Sequence, residues 1–213
     1  MSHKEYWNSV AEKKEFTTPF NLGEFVQYVC EDAAILDFGC GYGRTLNEIY
    51  QQGFRSIVGI DFSEEMINRG KKQFPFLDLR VKHSKNIDFD DNSFDAVILF
   101  AVLTCISSDT EQLDLVREIK RVLKPGGYVY INDFLLNSDE RNLMRYAAYE
   151  KKYGYGTFEL SEGAVLRHHD IDYIKSLLIP FTQCKMEEVT FMTMNGNQSK
   201  GFCYIGRKEV MFE

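Results

Sequence analysis

AILDFGCGYGRTL, Ala34 to Leu46, is the stretch on which the fold turns. An apolar run ends at Phe38 and passes directly into three glycines at alternate positions, Gly39, Gly41 and Gly43. Arg44 to Gln52 then reads as a helix, with Gly53 closing its C-terminal end. A buried strand, a tight turn and a helix open a β-α-β unit. Glycine tolerates positive φ and lets the backbone approach another molecule closely, while the first N–H groups of the helix stay free for polar atoms.

Working outward, strand-like runs alternate with amphipathic stretches as far as Phe134. RSIVGID, ending at Asp61, is a second strand, and Ser63 caps a helix from Glu64 to about Gln73. LDLRVK (Leu77 to Lys82) and FDAVILF (Phe94 to Phe100) are the third and fourth strands. A helix capped by Ser108 or Asp109 runs through Leu123, with Leu113, Val116, Ile119, Val122 and Leu123 expected on its inner face. YVYINDF (Tyr128 to Phe134) is a fifth strand. Residues 135–170 lose periodicity and are assigned to a cap insertion, partly helical around Arg141 to Lys151. A helix near Ile171 to Leu178 follows, then VTFMTM and GFCYIG, joined by Asn195-Gly196-Asn197 as an antiparallel hairpin. The expectation is one α/β domain over residues 1–213, a doubly wound three-layer sandwich, with an N-terminal lid over about residues 1–30.

A net charge of −7 argues against a nucleic-acid partner, because such binding needs a basic footprint. Five scattered cysteines without a CxxC pair read as reduced, mostly buried thiols. No apolar run approaches the roughly 18 residues of a membrane span, and the N-terminus has no apolar core of a signal peptide. A cytoplasmic protein with no membrane partner is therefore expected. Oligomeric state has no signature.

Asp61, about twenty residues beyond the turn at the tip of the next strand, is placed to accept hydrogen bonds from both ribose hydroxyls. Turn and acid together indicate an adenosine-containing ligand. Dinucleotide binders carry a glycine at the sixth position of G-x-G-x-x-G, and here that position is Arg44. An NAD(P)-dependent oxidoreductase is thereby disfavoured.

At these residues, and through GIDFSEEMI, DFDDNSFDAVILF and LKPGGYVYINDF, the sequence resembles the class I S-adenosylmethionine-dependent methyltransferases over roughly half of the chain. The resemblance implies a seven-stranded, mostly parallel sheet whose last strand is antiparallel. It implies that Asp37, Gly39 and Gly41 line the methionine part of S-adenosylmethionine, with Cys40, Arg44 and Thr45 completing the turn. Asp61 and Phe62 would hold the ribose and flank the adenine, and Met66 would pack near the ring. Where the family usually shows an acid followed by a small residue, this sequence reads His83-Ser84-Lys85, so only a backbone contact at Ser84 carries over. Phe100 and Ala101 would form the wall beneath the sulfonium. The family's Asp-Pro-Pro-Tyr type motif is absent there, which speaks against adenine-in-DNA and glutamine acceptors.

The activity implied is methyl transfer to oxygen, nitrogen or sulfur of a small molecule. A non-catalytic cofactor-binding regulatory protein is the rival from another class, and an open mouth would favour it. Tyr6, Trp7 and Phe16 either fold over the cofactor as a lid or pack on the core. His168 and His169, in Arg167-His168-His169-Asp170, are candidate general bases. The alternative is a helix capped by Asp170 beside two half-exposed histidines. Metal binding is not expected, since adjacent side chains diverge and no third ligand has useful spacing. Tyr153, with Tyr146, Tyr149 and Tyr155, either lines a substrate pocket or forms the core of the cap. Asp133, at the end of the fifth strand, either meets substrate or stabilises a loop, and Arg167 completes the acceptor candidates.

Overall fold

The computed structural model describes residues 2–193 and 196–210. The elements run α1 (His3–Val10), α2 (Leu22–Phe25), β1 (Ile35–Phe38), α3 (Arg44–Gln51), β2 (Ile57–Asp61), α4 (Glu64–Gln73), β3 (Asp78–Val81) and β4 (Phe94–Phe100). They continue as a 3-10 turn (Leu103–Cys105), α5 (Asp109–Val122), β5 (Leu123–Phe134), α6 (Glu140–Tyr153), β6 (Thr157–Glu159), β7 (Val165–Arg167), α7 (Ile171–Leu177), β8 (Thr182–Met192) and β9 (Gln198–Arg207).

Seven strands form one sheet in the order β3-β2-β1-β4-β5-β9-β8. β1 pairs in parallel with both β2 and β4, whereas β9 is antiparallel to β5 and β8. The central strands are apolar at successive positions, as burial on both faces requires: Ile35, Leu36, Ala96, Val97, Ile98 and Leu99 are sealed from solvent. Leu36, Val97, Leu99 and Val129 pack on one side against Val116, Ile119 and Ile174 of α5 and α7. Ile35, Ala96, Ile98 and Tyr130 pack on the other against Leu46, Ile49, Phe20 and Phe25. The three-layer expectation is met, and strand order reverses between β1 and β4, where α/β sheets open a crevice.

Several local expectations are corrected. Leu113 is 42% exposed, and Gln112 and Leu115 take the inner face of α5 instead. The reason is polar: the Gln112 side-chain amide donates to the carbonyls of Leu103 and Ile106, and its oxygen accepts from the Tyr173 hydroxyl. The cap region holds a small sheet, β6 paired antiparallel to β7, that short irregular segments did not announce. β5 and β8 begin earlier than expected, at Leu123 and Thr182. Asn195 of the hairpin turn lies outside the described residues, although Gly196 N–H donates to the Thr193 carbonyl. Cys30 and Cys184 are exposed, so burial holds only for part of the thiols. Among the described residues no helix is long and apolar enough to cross a membrane.

The N-terminal segment is tied down by polar contacts. Ser2 and Glu5 form a capping box on α1, and the Ser63 hydroxyl donates to Asn8 at 2.7 Å. Buried Arg69 of α4 donates to the carbonyls of Ala11 and Lys14 and pairs with Glu15. Arg69→Met strands two part-buried carbonyls, at a cost of about 1–3 kcal/mol. Denaturant unfolding is expected to show that loss, and trypsin to cut after Lys14 faster; unchanged values in both would show that Arg69 is not the anchor.

Candidate functional site

Gly39, Gly41 and Gly43 sit at φ of 77°, 55° and 85°, in the left-handed region open to glycine. A Cβ on Gly39 would lie 2.7 Å from Val102, and one on Gly41 would lie 2.5 Å from the Phe16 ring. The turn is thus covered closely from two sides. Asp61, at the tip of β2, accepts from Gly41 N–H at 3.0 Å through one oxygen and from Ser63 N–H at 2.8 Å through the other. Burial pushes its carboxyl up, and these two N–H groups oppose that shift.

Asp37 is wholly buried beside the turn, and its Oδ1 has no hydrogen-bond partner among the described residues. Burial first, and the negative Asp61 second, push its carboxyl up to about 7, against the attraction of Arg44. Arg44 opens α3, pairs with Glu48 at 2.8 Å and donates to the Thr18 carbonyl at 2.7 Å. Its Nε is buried without a hydrogen-bond partner among the described residues. Ala101, directly after β4, holds a φ of 56° that is uncommon for a residue with a Cβ, and its N–H donates to the Asn132 carbonyl at 2.7 Å.

A cavity of about 630 Å³ opens at the carboxyl ends of β1, β2 and β4. Asp37, Gly39, Cys40, Gly41, Arg44, Thr45, Asp61, Phe62, Met66, Ser84, Phe100 and Ala101 all line it, so the structure brings every sequence-assigned cofactor residue to one place. Trp7 and Phe16 line it from the N-terminal segment, and His168 from the cap. The other acceptor candidates lie elsewhere. Tyr6 is 1% exposed and packs edge-on against Trp7. Tyr153 bonds Glu159, and Arg167 pairs with Asp109. Asp133 is sealed beneath the 3-10 turn, where it accepts from the N–H groups of Thr104 and Phe134. Burial pushes its carboxyl up to about 7, opposed by those backbone bonds. Its position is that of a loop stabiliser.

The histidines are buried, 6% and 1% exposed, and not half-exposed as the alternative reading had it. Asp170 does cap α7, accepting from the N–H groups of Asp172 and Tyr173. His169 turns away from the cavity: Nδ1 faces the Phe134 carbonyl at 3.3 Å and Nε2 faces the Gln112 amide nitrogen at 2.8 Å. His169 does not line the cavity, so the general-base expectation does not fit it. Burial lowers its pKa to about 4, so it stays neutral near pH 7.

At His168 the neighbours decide the tautomer. The Asn137 Oδ1 accepts from Lys200 N–H at 2.7 Å, which makes Nδ2 the end that meets His168 Nδ1 at 3.4 Å. The Tyr146 oxygen accepts from Asn137 N–H and donates its own proton to the same Nδ1 at 2.6 Å. Nδ1 is therefore the acceptor and Nε2 carries the hydrogen. Burial drives the His168 pKa well down and keeps the ring neutral. The base expectation fails here too, because the free lone pair is already taken.

Sequence reading passed over Arg141, Arg145, Phe134 and Phe158, which line the same cavity. The four-residue spacing of the two arginines within a helical stretch was an available signal. The phenylalanines carried none.

Residues 36–131 match the methyltransferase domain family. A demethylmenaquinone methyltransferase of Renibacterium salmoninarum is 34% identical over 100 residues, which is 47% of this chain and 40% of that protein. EEF1A lysine methyltransferase 2 of Danio rerio is 26% identical over 162 residues, covering 62% of this chain and 68% of that protein. Among solved structures, a SAM-dependent methyltransferase from Methanosarcina mazei superposes with a TM-score of 0.84 at 25% identity, over 91% of this chain and 100% of the other. The chain spans about two fifths of the length of the quinone-pathway relative. The glycine turn, the Asp61 staple, the β3-β2-β1-β4-β5-β9-β8 sheet and the methyltransferase domain matched over residues 36–131 together support a class I S-adenosylmethionine-dependent methyltransferase.

Proposed function

We propose that this chain transfers the methyl group of S-adenosylmethionine to an oxygen, nitrogen or sulfur atom of a small molecule. One observation carries the reading: the cavity that begins at the glycine turn and Asp61 continues into a chamber walled by Phe134, Phe158, Leu160 and Leu166 and covered by Trp7 and Phe16. An apolar acceptor chamber continuous with the cofactor end favours an enzyme over a non-catalytic binder. Relatives do not choose the acceptor, since their names point to demethylmenaquinone in one case and a protein lysine in another.

The residues present fit the cofactor. Gly39 and Gly41 leave backbone open at the turn, and Asp37 and Arg44 each hold one buried polar atom without a partner. In this reading Asp37 takes the ammonium of the methionine part, and Asp61 keeps lone pairs for the ribose beyond the two it uses. Phe62 and Met66 flank the adenine, the loop at Ser84 meets its edge, and Phe100 and Ala101 lie beneath the sulfonium. Lys82 shapes that adenine loop by donating to the carbonyls of Ser84 and Lys85. When bound, S-adenosylmethionine supplies an already activated methyl group, so the chain has to align the acceptor, exclude water and let one proton leave. Trp7 and Phe16, held by the Arg69 anchor, exclude the water.

Asp61→Ala is expected to weaken S-adenosylhomocysteine binding by about 1–3 kcal/mol in calorimetry, the worth of a charged hydrogen-bond partner. Unchanged affinity would refute the ribose assignment. Asp37 generates a pH prediction whose sign follows from its raised carboxyl. Between the ordinary carboxylate range and about pH 7 the free protein holds a proton on Asp37 that the unfolded chain does not. Asp37 therefore makes the free protein less stable as pH rises through that window. The ammonium needs the carboxylate, so cofactor affinity runs the other way, falling about tenfold per unit below pH 7 and levelling above it. Asp37→Asn should flatten that profile; a wild-type profile with no change between pH 5 and 8 would remove Asp37 from the ammonium site.

A further inference from the structure

The acceptor end of the cavity carries an electrostatic imbalance that methyl transfer alone does not explain. Among the described lining residues the carboxylates are Asp37 and Asp61, both at the cofactor end, where Arg44, Lys82 and Lys85 also stand, while Lys4 and Lys14 line the cavity from the N-terminal segment. Arg141 and Arg145 line the far end from one face of α6, a single turn apart, where like charges repel. Arg141 has a loose contact with Asp139 at 3.7 Å. That aspartate is committed to Asn142, whose N–H and side-chain amide it accepts. Arg145 has no ion pair among the described residues, and its Nε is buried without a hydrogen bond. Its guanidinium carbon lies over the Phe158 ring, 3.6 Å from the centroid. With only the more distant Asp139 as counter-charge, half-burial of this cation is costly, and a ligand that supplies an anion recovers the cost.

His168 adds a directed donor at the same place. Its ring lies 5.0 Å from the centroid of that same Phe158 ring, edge to face, and stacks on Phe134 at 5.5 Å. Tyr146 holds its Nδ1 as an acceptor, which leaves Nε2–H without a partner among the described residues, in a residue that lines the cavity. Guanidinium donors, one N–H and two aromatic faces thus line a single cavity. A carboxylate or phosphate oxygen satisfies such donors, and the rings suit a flat apolar body behind it.

We infer that the acceptor is a small aromatic or similarly flat molecule bearing an anionic oxygen group, anchored by Arg145, with Arg141 and the Nε2–H of His168 completing the anion site. The inference rests on the methyltransferase reading for the word acceptor. The anion site itself stands independently of it.

The test separates the two. Wild-type protein is titrated by calorimetry with S-adenosylhomocysteine, and separately with benzoate, phenyl phosphate and the neutral isostere benzamide, each in the presence and absence of S-adenosylhomocysteine. Benzoate or phenyl phosphate is expected to bind at least tenfold more tightly than benzamide. Arg145→Gln, which keeps size and polarity but removes the charge, should abolish that preference with S-adenosylhomocysteine affinity and Tm unchanged. Arg145→Lys should retain most of it. Equal affinity of the wild type for benzoate, phenyl phosphate and benzamide, or a preference that survives in Arg145→Gln, overturns the anion site. Failure of S-adenosylhomocysteine to bind while benzoate does would overturn the methyltransferase reading and leave the anion site in place.

Discussion

The carboxylate of Asp61 accepts one hydrogen bond from Gly41 and another from Ser63, and through them it joins the glycine turn after β1 to the start of α4 after β2. Charge-assisted bonds of this kind are among the stronger ones available to a chain, and here they are buried. Their geometry requires the left-handed backbone at Gly41, where a Cβ would collide with Phe16. The turn, the lid residue and the ribose-side acid are therefore one unit. Ser63 extends it, since its hydroxyl accepts from Met66 N–H and donates to Asn8 of the N-terminal helix.

The carboxylates of the cavity are confined to one end. Asp37 and Asp61 stand beside β1 and β2, with Arg44, Lys82 and Lys85 near them, whereas the end beneath α6 carries two arginines and a neutral histidine with no carboxylate among the described lining residues. A cationic sulfonium and ammonium belong with the first set and an anionic anchor with the second. The low dielectric of the enclosed volume strengthens both preferences. Phe100, Ala101 and Val102 lie between them, and the strained φ at Ala101 shapes the wall at that junction.

Burial also explains why groups that look reactive in the sequence are quiet in the fold. Asp133 holds the 3-10 turn, His169 bridges Phe134 and Gln112, and His168 presents a donor instead of a lone pair. Each is locked by neighbours from distant segments: Thr104 on Asp133, Gln112 on His169, Tyr146 on His168.

The cofactor half was legible in the chain because its signals are local. A strand that is apolar but for Asp37, a turn that needs positive φ at Gly39, Gly41 and Gly43, and an acid at the next strand tip are each set by steric and burial rules acting within a few residues. Those rules make the parallel sheet and its crevice follow from pattern alone. The inner face of α5 was not decided that way: Leu113 satisfied the helical period, yet Gln112 went inward because Leu103, Ile106, His169 and Tyr173 offered its amide every bond it needs. The acceptor chamber is the same case enlarged. Arg145, Phe158, Phe134 and His168 come from four separate segments with no shared period, and only their packing against one another determines which nitrogen carries a hydrogen and which cation lacks a partner.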